Sequence, residues 1–319
     1  MIGIIVCAEE CNLACKYCYE HLDPCRERES RDRVNSVFRA RLDDVKRFVS
    51  DVSSAAARAN RPTQFILHGG EPLLLRGELL AEVFDFIART ADARIQVQTN
   101  GTLADAAFSG LCKEYGVSVT VSVDGPERLH DRYRVDAGGR GTLGRILSAV
   151  ELLKGDGVPV NALATITSEA CGMAEEIFAF FDGLETDFSV NRCFPVQGRR
   201  GSGGAADEAA YRVFLSQLYD IYQRTDGRRI HIPCFDRCLH DLKEKDGAYV
   251  YKPGSSPELA VYQCTTGTVY RPFRERGTRV YTGAKKACVL DYLCWQQERD
   301  YANAVELNAW DHEKGWENA

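Results

Sequence analysis

Three thiols carry the first chemistry legible in this 319-residue chain: Cys11, Cys15 and Cys18, in the run Cys11-Asn12-Leu13-Ala14-Cys15-Lys16-Tyr17-Cys18. Spacings of four and three let one compact loop turn three sulfurs toward a common point. Soft thiolates suit an iron–sulfur cluster or zinc. A cubane cluster takes four ligands, so three cysteines leave one iron open for something else. A closed structural zinc wants a fourth donor, and His21 or Cys25 is near enough in sequence to offer one.

Two further runs have the residue types of a binding site. Phe65-Ile66-Leu67-His68 leads into Gly69-Gly70-Glu71-Pro72. Glycines let a backbone approach a ligand closely. Main-chain groups and the Glu71 carboxylate can then receive an ammonium group, and Pro72 stiffens the turn. Ser122-Val123-Asp124-Gly125-Pro126 follows another apolar run, with His130-Asp131-Arg132-Tyr133-Arg134 and Gly141-Thr142-Leu143 beyond it. The Arg134 fork suits a carboxylate. Asn100 and Asp124 each precede a glycine, so they serve a ligand or simply build turns. His68 reads as a core or rim histidine. Five more cysteines come late: Cys234, Cys238, Cys264, Cys288 and Cys294. Cys7, Cys112 and Cys171 read as small apolar residues.

The elements that must position these residues alternate. Strand-like runs at Ile2–Val6, Gln64–Leu67, Arg94–Gln98, Val117–Val123, Val158–Ile166 and Asp187–Asn191 are separated by helical patterns at Asn35–Ala59, Gly77–Arg89, Ala104–Tyr115, Leu143–Lys154 and Ala174–Asp182. Repeated βα units imply parallel strands. Six of them predict an α/β fold, an open partial (β/α)6 TIM-like barrel over residues 1–200, with functional groups at the carboxyl ends of its strands. Every motif named so far falls at such an end. Gly198 to Ala205 reads as a connection, followed by a helix over Asp207–Arg224. Beyond it the pattern changes. Tyr262–Val269 and Thr278–Thr282 predict a hairpin pair, and the polar tail from Gln296 predicts a helix. Residues 201–319 are therefore expected to form a small second domain around the late cysteines.

Composition narrows the partners. The net charge of -6 argues against nucleic acid or an anionic membrane surface. No run approaches the length of a transmembrane span, and the first residues lack a secretory-signal pattern, so a cytoplasmic protein is expected. Thirteen cysteines in that setting favour metal ligation over a disulfide scaffold.

Taken together, Cys-Asn-Leu-Ala-Cys-Lys-Tyr-Cys, the Gly-Gly-Glu-Pro strand end and the Ser122–Pro126 block resemble the radical S-adenosylmethionine (SAM) superfamily. The third block is similar to its anaerobic sulfatase-maturating and peptide-modifying branch, whose members carry a SPASM or twitch extension. The resemblance covers residues 1–200 well and the remainder loosely. It implies a SAM-binding [4Fe–4S] cluster on Cys11, Cys15 and Cys18, whose open iron chelates SAM. Reductive cleavage then gives a 5′-deoxyadenosyl radical that takes a hydrogen atom from substrate. It further implies cofactor contacts from Tyr17, Gly69, Gly70, Glu71, Asn100, Ser122, Asp124 and Arg134, with Tyr17 against the adenine or packed under the loop. One auxiliary [4Fe–4S] cluster follows from the SPASM/twitch likeness. The gap from Cys264 to Gly283-x4-Cys288 is longer than that signature, and the complete cysteine set is missing. Cys238, Cys264, Cys288 and Cys294 are the expected ligands, with Cys234 or Cys193 able to replace Cys238. Cys234 would otherwise be a hydrogen-atom donor, and Asp236 a base beside His231, His240 and Asp241.

The implied activity is hydrogen abstraction from a peptide or protein side chain, ending in oxidation, a crosslink or epimerisation. It would draw electrons from a flavodoxin- or ferredoxin-type reductant. Two alternatives stand beside it: a twitch-type dehydrogenase or epimerase of a small hydroxylated molecule such as an aminocyclitol or sugar, and a non-catalytic metal-binding module.

Overall fold

The computed structural model describes residues 1–18, 27–90, 92–195, 203–225, 229–245, 248–251, 259–270, 279–282 and 284–314. His21, Cys25, Gly283 and most of the 198–205 connection lie outside these residues.

Strands β1 (Ile2–Val6), β2 (Thr63–His68), β3 (Ala93–Thr99), β4 (Ser118–Ser122), β5 (Val160–Ile166) and β6 (Phe188–Arg192) stand side by side in chain order, each parallel to the next. Crossover helices join them: α1 (Glu27–Ala40) and α2 (Leu42–Arg58), then α3 (Gly77–Thr90), α4 (Ala106–Tyr115), α5 (Glu127–Tyr133) with α6 (Leu143–Gly155), and α7 (Ala174–Gly183). This is the expected half-barrel. The single helix predicted over Asn35–Ala59 is instead two, broken at Arg41 (φ −103°, ψ 2°) without a glycine or proline to signal it.

The two faces of the sheet differ. A Cβ on Gly3 would lie 2.8 Å from the Phe65 ring and 3.3 Å from Phe48 of α2, so that phase of the strands faces the helices. Ile5, Phe65, Leu67, Val97, Val119 and Val121 share that phase and are fully buried. Each such side chain contributes about 1.5–3 kcal/mol on burial. The opposite phase, among it Ile4, Val6, Ile66, Gln96 and Gln98, is only half-buried. The concave face is therefore open, and a polar row crosses it: Gln64 Nε2 donates to Gln96 Oε1 at 2.6 Å, and Gln96 Nε2 to Thr120 Oγ1 at 2.5 Å.

After α8 (Glu208–Arg224) and α9 (Pro233–Asp241), strands β7 (Leu242–Lys245), β8 (Ala248–Tyr251) and β11 (Arg279–Thr282) make a separate antiparallel sheet. Between β8 and β11 in sequence, β9 (Leu259–Gln263) and β10 (Thr268–Tyr270) return to the barrel. β9 adds a parallel neighbour to β1, and β10 pairs antiparallel with β9. The predicted hairpin is thus β9–β10 alone, and the barrel sheet has eight strands rather than six. Its two outermost strands on that side come from beyond residue 201, so the sheet crosses the expected domain boundary. The other edge, β6, is closed by α10 (Lys285–Lys314), which starts well before Gln296. Gln297 donates Nε2 to Val190 O at 2.7 Å and accepts from Arg192 N at 3.1 Å, standing in for a missing strand. Among the described residues no helix is long and apolar enough to cross a membrane.

Candidate active site

The cysteine loop leaves the carboxyl end of β1 and is clamped on both sides. On one side Cys7 N donates to His68 O (2.8 Å), Gly70 N to Ala8 O (2.7 Å) and Glu71 N to Glu10 O (2.9 Å). This contact demands the glycine pair. Gly69 has φ +124°, where side chains are strained, and a Cβ on it would lie 2.3 Å from Ala8 O. A Cβ on Gly70 would lie 2.1 Å from Glu10 O. The close approach these glycines permit is to the backbone leading into the cysteines. On the other side Ala14 N donates to Val135 O and Lys16 N to Tyr133 O, with Leu13 bridged to Asp136.

Glu71 is fully buried and its carboxylate is engaged by the protein. It accepts from Leu73 N (2.9 Å), Thr99 Oγ1 (2.6 Å) and Asn100 N (2.8 Å). Burial raises its pKa, and these three bonds work against the rise. Glu71 therefore ties the Gly-Gly turn to the end of β3. Asn100, fixed by that bond, donates Nδ2 to Asn12 Oδ1 (2.8 Å) and toward Cys11 Sγ (3.6 Å). Leu13 N also points at Cys11 Sγ, at 3.5 Å. Thr102 completes the corner by donating to Asn100 Oδ1 and accepting from Asn12.

The second corner centres on Asp124, 3% exposed. Its Oδ2 accepts from Arg134 Nε (3.0 Å) and from the Tyr17 hydroxyl, and its Oδ1 from Thr165 N (2.9 Å). The Arg134 guanidinium lies 5.4 Å from the Tyr17 ring centroid, a cation–π distance. Tyr17 also meets Tyr133, ring centroids 5.8 Å apart, and clusters with Cys193, so it packs beneath the loop. Behind Asp124, His130 is fully buried and burial lowers its pKa to about 4. Asp124 N donates to its Nδ1 (3.2 Å). Nε2 must then carry the proton, facing Thr142 Oγ1 at 3.1 Å, while Thr142 Oγ1 donates to Arg134 O at 2.9 Å. Asp131 caps α6 by accepting from Thr142 N and Leu143 N, and a Cβ on Gly141 would lie 2.2 Å from its carboxyl carbon, which accounts for the Gly-Thr-Leu run. Ser122, half-buried, ends β4 on the concave face.

The thiols themselves match a metal-cluster donor set in chemistry. Burial raises the pKa of Cys11 and of Cys15, and Cys15 and Cys18 each push Cys11 further up as like charges. Arg134 opposes the rise at Cys15 by its charge and by a hydrogen bond. N–H groups aimed at a sulfur and a neighbouring guanidinium both favour thiolate, the form that ligates metal. Among the described residues no three His, Cys, Asp or Glu side chains are drawn up as a metal-binding group, these cysteines included.

The remaining expected site residues lie elsewhere. Cys238 on α9 senses the charges of Cys234 and Cys294, which brings those three into one neighbourhood. Cys264, directly after β9, sits by Cys7 on the helix side of the sheet, its N donating to Val6 O. Cys288 is on α10, with the Asp291 charge beside it. The four expected auxiliary ligands are thus not brought together. Cys234 is buried against Ser189 and Val190 of β6. Asp236 accepts from Tyr222 (2.9 Å) and faces His231 (3.4 Å), while Phe188 N donates to His231 O. That contact puts Asp236 at the amino end of β6, opposite the cysteine loop. Neither Asp236 nor Cys234 is placed with the cysteine loop. His68 is half-buried at the rim with its pKa lowered to about 4 by burial. Sequence reasoning missed Asn12, Thr99 and Thr102, polar residues with partners far along the chain.

Comparison with known proteins bears on this geometry. A model of the radical SAM superfamily matches residues 5–176. The chain is 27% identical over 246 residues to a cysteine-type anaerobic sulfatase-maturating enzyme of Clostridium novyi, covering 74% of this chain and 63% of that one. It is 33% identical over 179 residues to a serine-type anaerobic sulfatase-maturating enzyme of Klebsiella aerogenes, covering 54% and 41%. The chain therefore spans less than two-thirds of these curated relatives. Among solved structures, native anSMEcpe with bound AdoMet superposes with a TM-score of 0.67 at 22% identity, covering 85% of this chain and 74% of that one. Streptococcus suis SuiB bound to precursor peptide SuiA gives 0.54 at 14%, covering 84% and 58%. At these identities the likeness is one of fold.

Proposed function

The chain belongs to the radical SAM superfamily, an enzyme family that uses a [4Fe–4S] cluster and S-adenosylmethionine, and from that premise we propose that it modifies a peptide or protein side chain. When bound, the cluster and SAM supply an organic radical able to take a hydrogen atom from an unactivated carbon. Everything else falls to residues of this chain. Cys11, Cys15 and Cys18 hold the cluster, with Leu13 and Asn100 directing N–H groups at Cys11. Gly69 and Gly70 let their turn close on the backbone leading into the cysteines, and Ser122 and Asn100 line the cofactor's approach. Arg134 offers its guanidinium to the SAM carboxylate. Glu71 and Asp124, whose carboxylates are engaged within the protein, position these groups: Glu71 holds Asn100, and Asp124 aims Arg134 and Tyr17.

One observation carries the reading most: the cysteine loop is clamped by both corners over the carboxyl end of an open concave face. A peptide substrate is supported by the relatives named as sulfatase-maturating enzymes and by the fold shared with a protein solved with its precursor peptide. Residues 201–319 would carry one auxiliary [4Fe–4S] cluster, with Cys238 and Cys294 as its first two ligands. A flavodoxin- or ferredoxin-type protein would reduce the enzyme. The Gln64–Gln96–Thr120 chain keeps a second reading in view, a neutral hydroxylated small molecule.

Anaerobically reconstituted protein with dithionite and SAM should form 5′-deoxyadenosine. A randomised peptide pool should stimulate that formation and return peptides of altered mass. Stimulation by a pool of neutral cyclitols, with no peptide altered, would reverse the order of the two readings.

A further inference from the structure

Gln263 ends β9 with 4% exposure, yet its Oε1 has no hydrogen-bond partner among the described residues. Its Nε2 donates to Glu9 Oε1 at 3.0 Å. An ionised carboxylate only accepts, so this bond fixes which way the amide points, and the orphaned atom is the acceptor. A buried acceptor left unpaired is costly and rare.

The register says where it faces. Gln263 pairs with Val6, and Val6 with His68. Tyr262, one residue earlier, turns to Phe48 of α2, ring centroids 5.7 Å apart. Alternation then puts Gln263 on the concave face, at the same end of the sheet as the cysteine loop. Glu9, which holds the amide, is two residues before Cys11.

The donor that would pair with Oε1 is constrained by the surroundings. In the carboxyl halves of β2–β6 the inward positions include His68, Gln98, Ser122, Thr165 and Asn191, and none of the described ones is a carboxylate, lysine or arginine. The nearest carboxylate, Glu9, already accepts from the Gln263 amide. A neutral N–H donor fits.

Building on the peptide reading, we propose that Gln263 is a specificity-determining residue whose Oε1 accepts a backbone N–H of the peptide substrate. Strand β9 thereby supplies a substrate contact from outside the six βα units.

The test needs no turnover. N-acetylglycine N-methylamide carries two amide N–H donors, N-acetylsarcosine N,N-dimethylamide carries none, and scyllo-inositol offers only hydroxyls. Their binding to anaerobically reconstituted protein can be titrated by saturation-transfer NMR. Wild type should bind the first about fivefold more tightly than the second, the worth of one neutral hydrogen bond. Gln263→Met, checked for wild-type circular dichroism and iron content, should bring that ratio close to one. A ratio near one in wild type overturns the proposal without recourse to any variant. So does a preference that survives Gln263→Met, or Gln263-dependent binding of inositol alone. Peptide modification is read separately, by product mass, so either claim can fail while the other stands.

Discussion

Acidification should loosen the Asp124 corner through a single imidazole. His130 accepts from Asp124 N at Nδ1 and faces Thr142 through Nε2, so a proton on Nδ1 removes an acceptor and buries a charge. Its pKa falls from 6.5 to about 4 on burial. A histidine whose folded pKa is depressed contributes stability that is present above its unfolded pKa and lost as pH falls toward the folded one. Shifts of this size correspond to about 3 kcal/mol over the full window, and to about 2 kcal/mol between pH 7 and pH 5. Urea unfolding at those two pH values, for wild type and His130→Gln, isolates the contribution. His68 titrates alike in both proteins and cancels. The wild type should lose about 2 kcal/mol more than the variant on acidification. Equal losses in the two would refute the assignment of a buried neutral His130.

Other expectations follow from particular contacts. Gly70→Ala drives a Cβ against Glu10 O, so the purified variant should fold but take up much less iron on reconstitution; normal iron loading would show that the loop tolerates the shift. Glu71→Gln turns a donor toward either Asn100 N or the Leu73–Thr99 pair and should cost about 2–3 kcal/mol in urea unfolding, for a charged hydrogen bond lost inside the protein. Gln297→Leu uncovers Val190 O and Arg192 N on the edge strand and should cost about 1–3 kcal/mol while leaving iron content unchanged.

Much of the barrel was legible because its signals are local. Each βα unit announces itself by an apolar run, a turn and an amphipathic stretch, and β1 to β6 fall within a few residues of the predicted runs. Cys11, Cys15 and Cys18 were legible for the same reason. The β9–β10 hairpin was legible as a hairpin, but its place beside β1 was not. Leu259–Gln263 docks beside Ile2–Val6 across nearly the whole chain, and no local pattern encodes a parallel partner so distant. The break at Arg41 had no glycine or proline to mark it. Helix α9, rich in cysteine, aspartate and histidine, looked like a reactive segment. Its start at the amino end of β6 turns Asp236 away from the site, and only the path of the chain decides that. Glu71 was read as a cofactor contact from its motif, whereas its partners Thr99 and Asn100 come from a different strand end.

The central claim is that Cys11, Cys15 and Cys18 hold a cluster that engages SAM. Iron content and reduced-state EPR, with and without SAM, on the reconstituted wild type and the Cys11→Ala, Cys15→Ala, Cys18→Ala triple variant test it most directly. The account predicts a SAM-responsive signal in the wild type, and in the variant the loss of about four irons together with that response, with an auxiliary cluster signal remaining. A variant that keeps its full iron and its SAM response, or a wild type that loads zinc in place of iron, would contradict it.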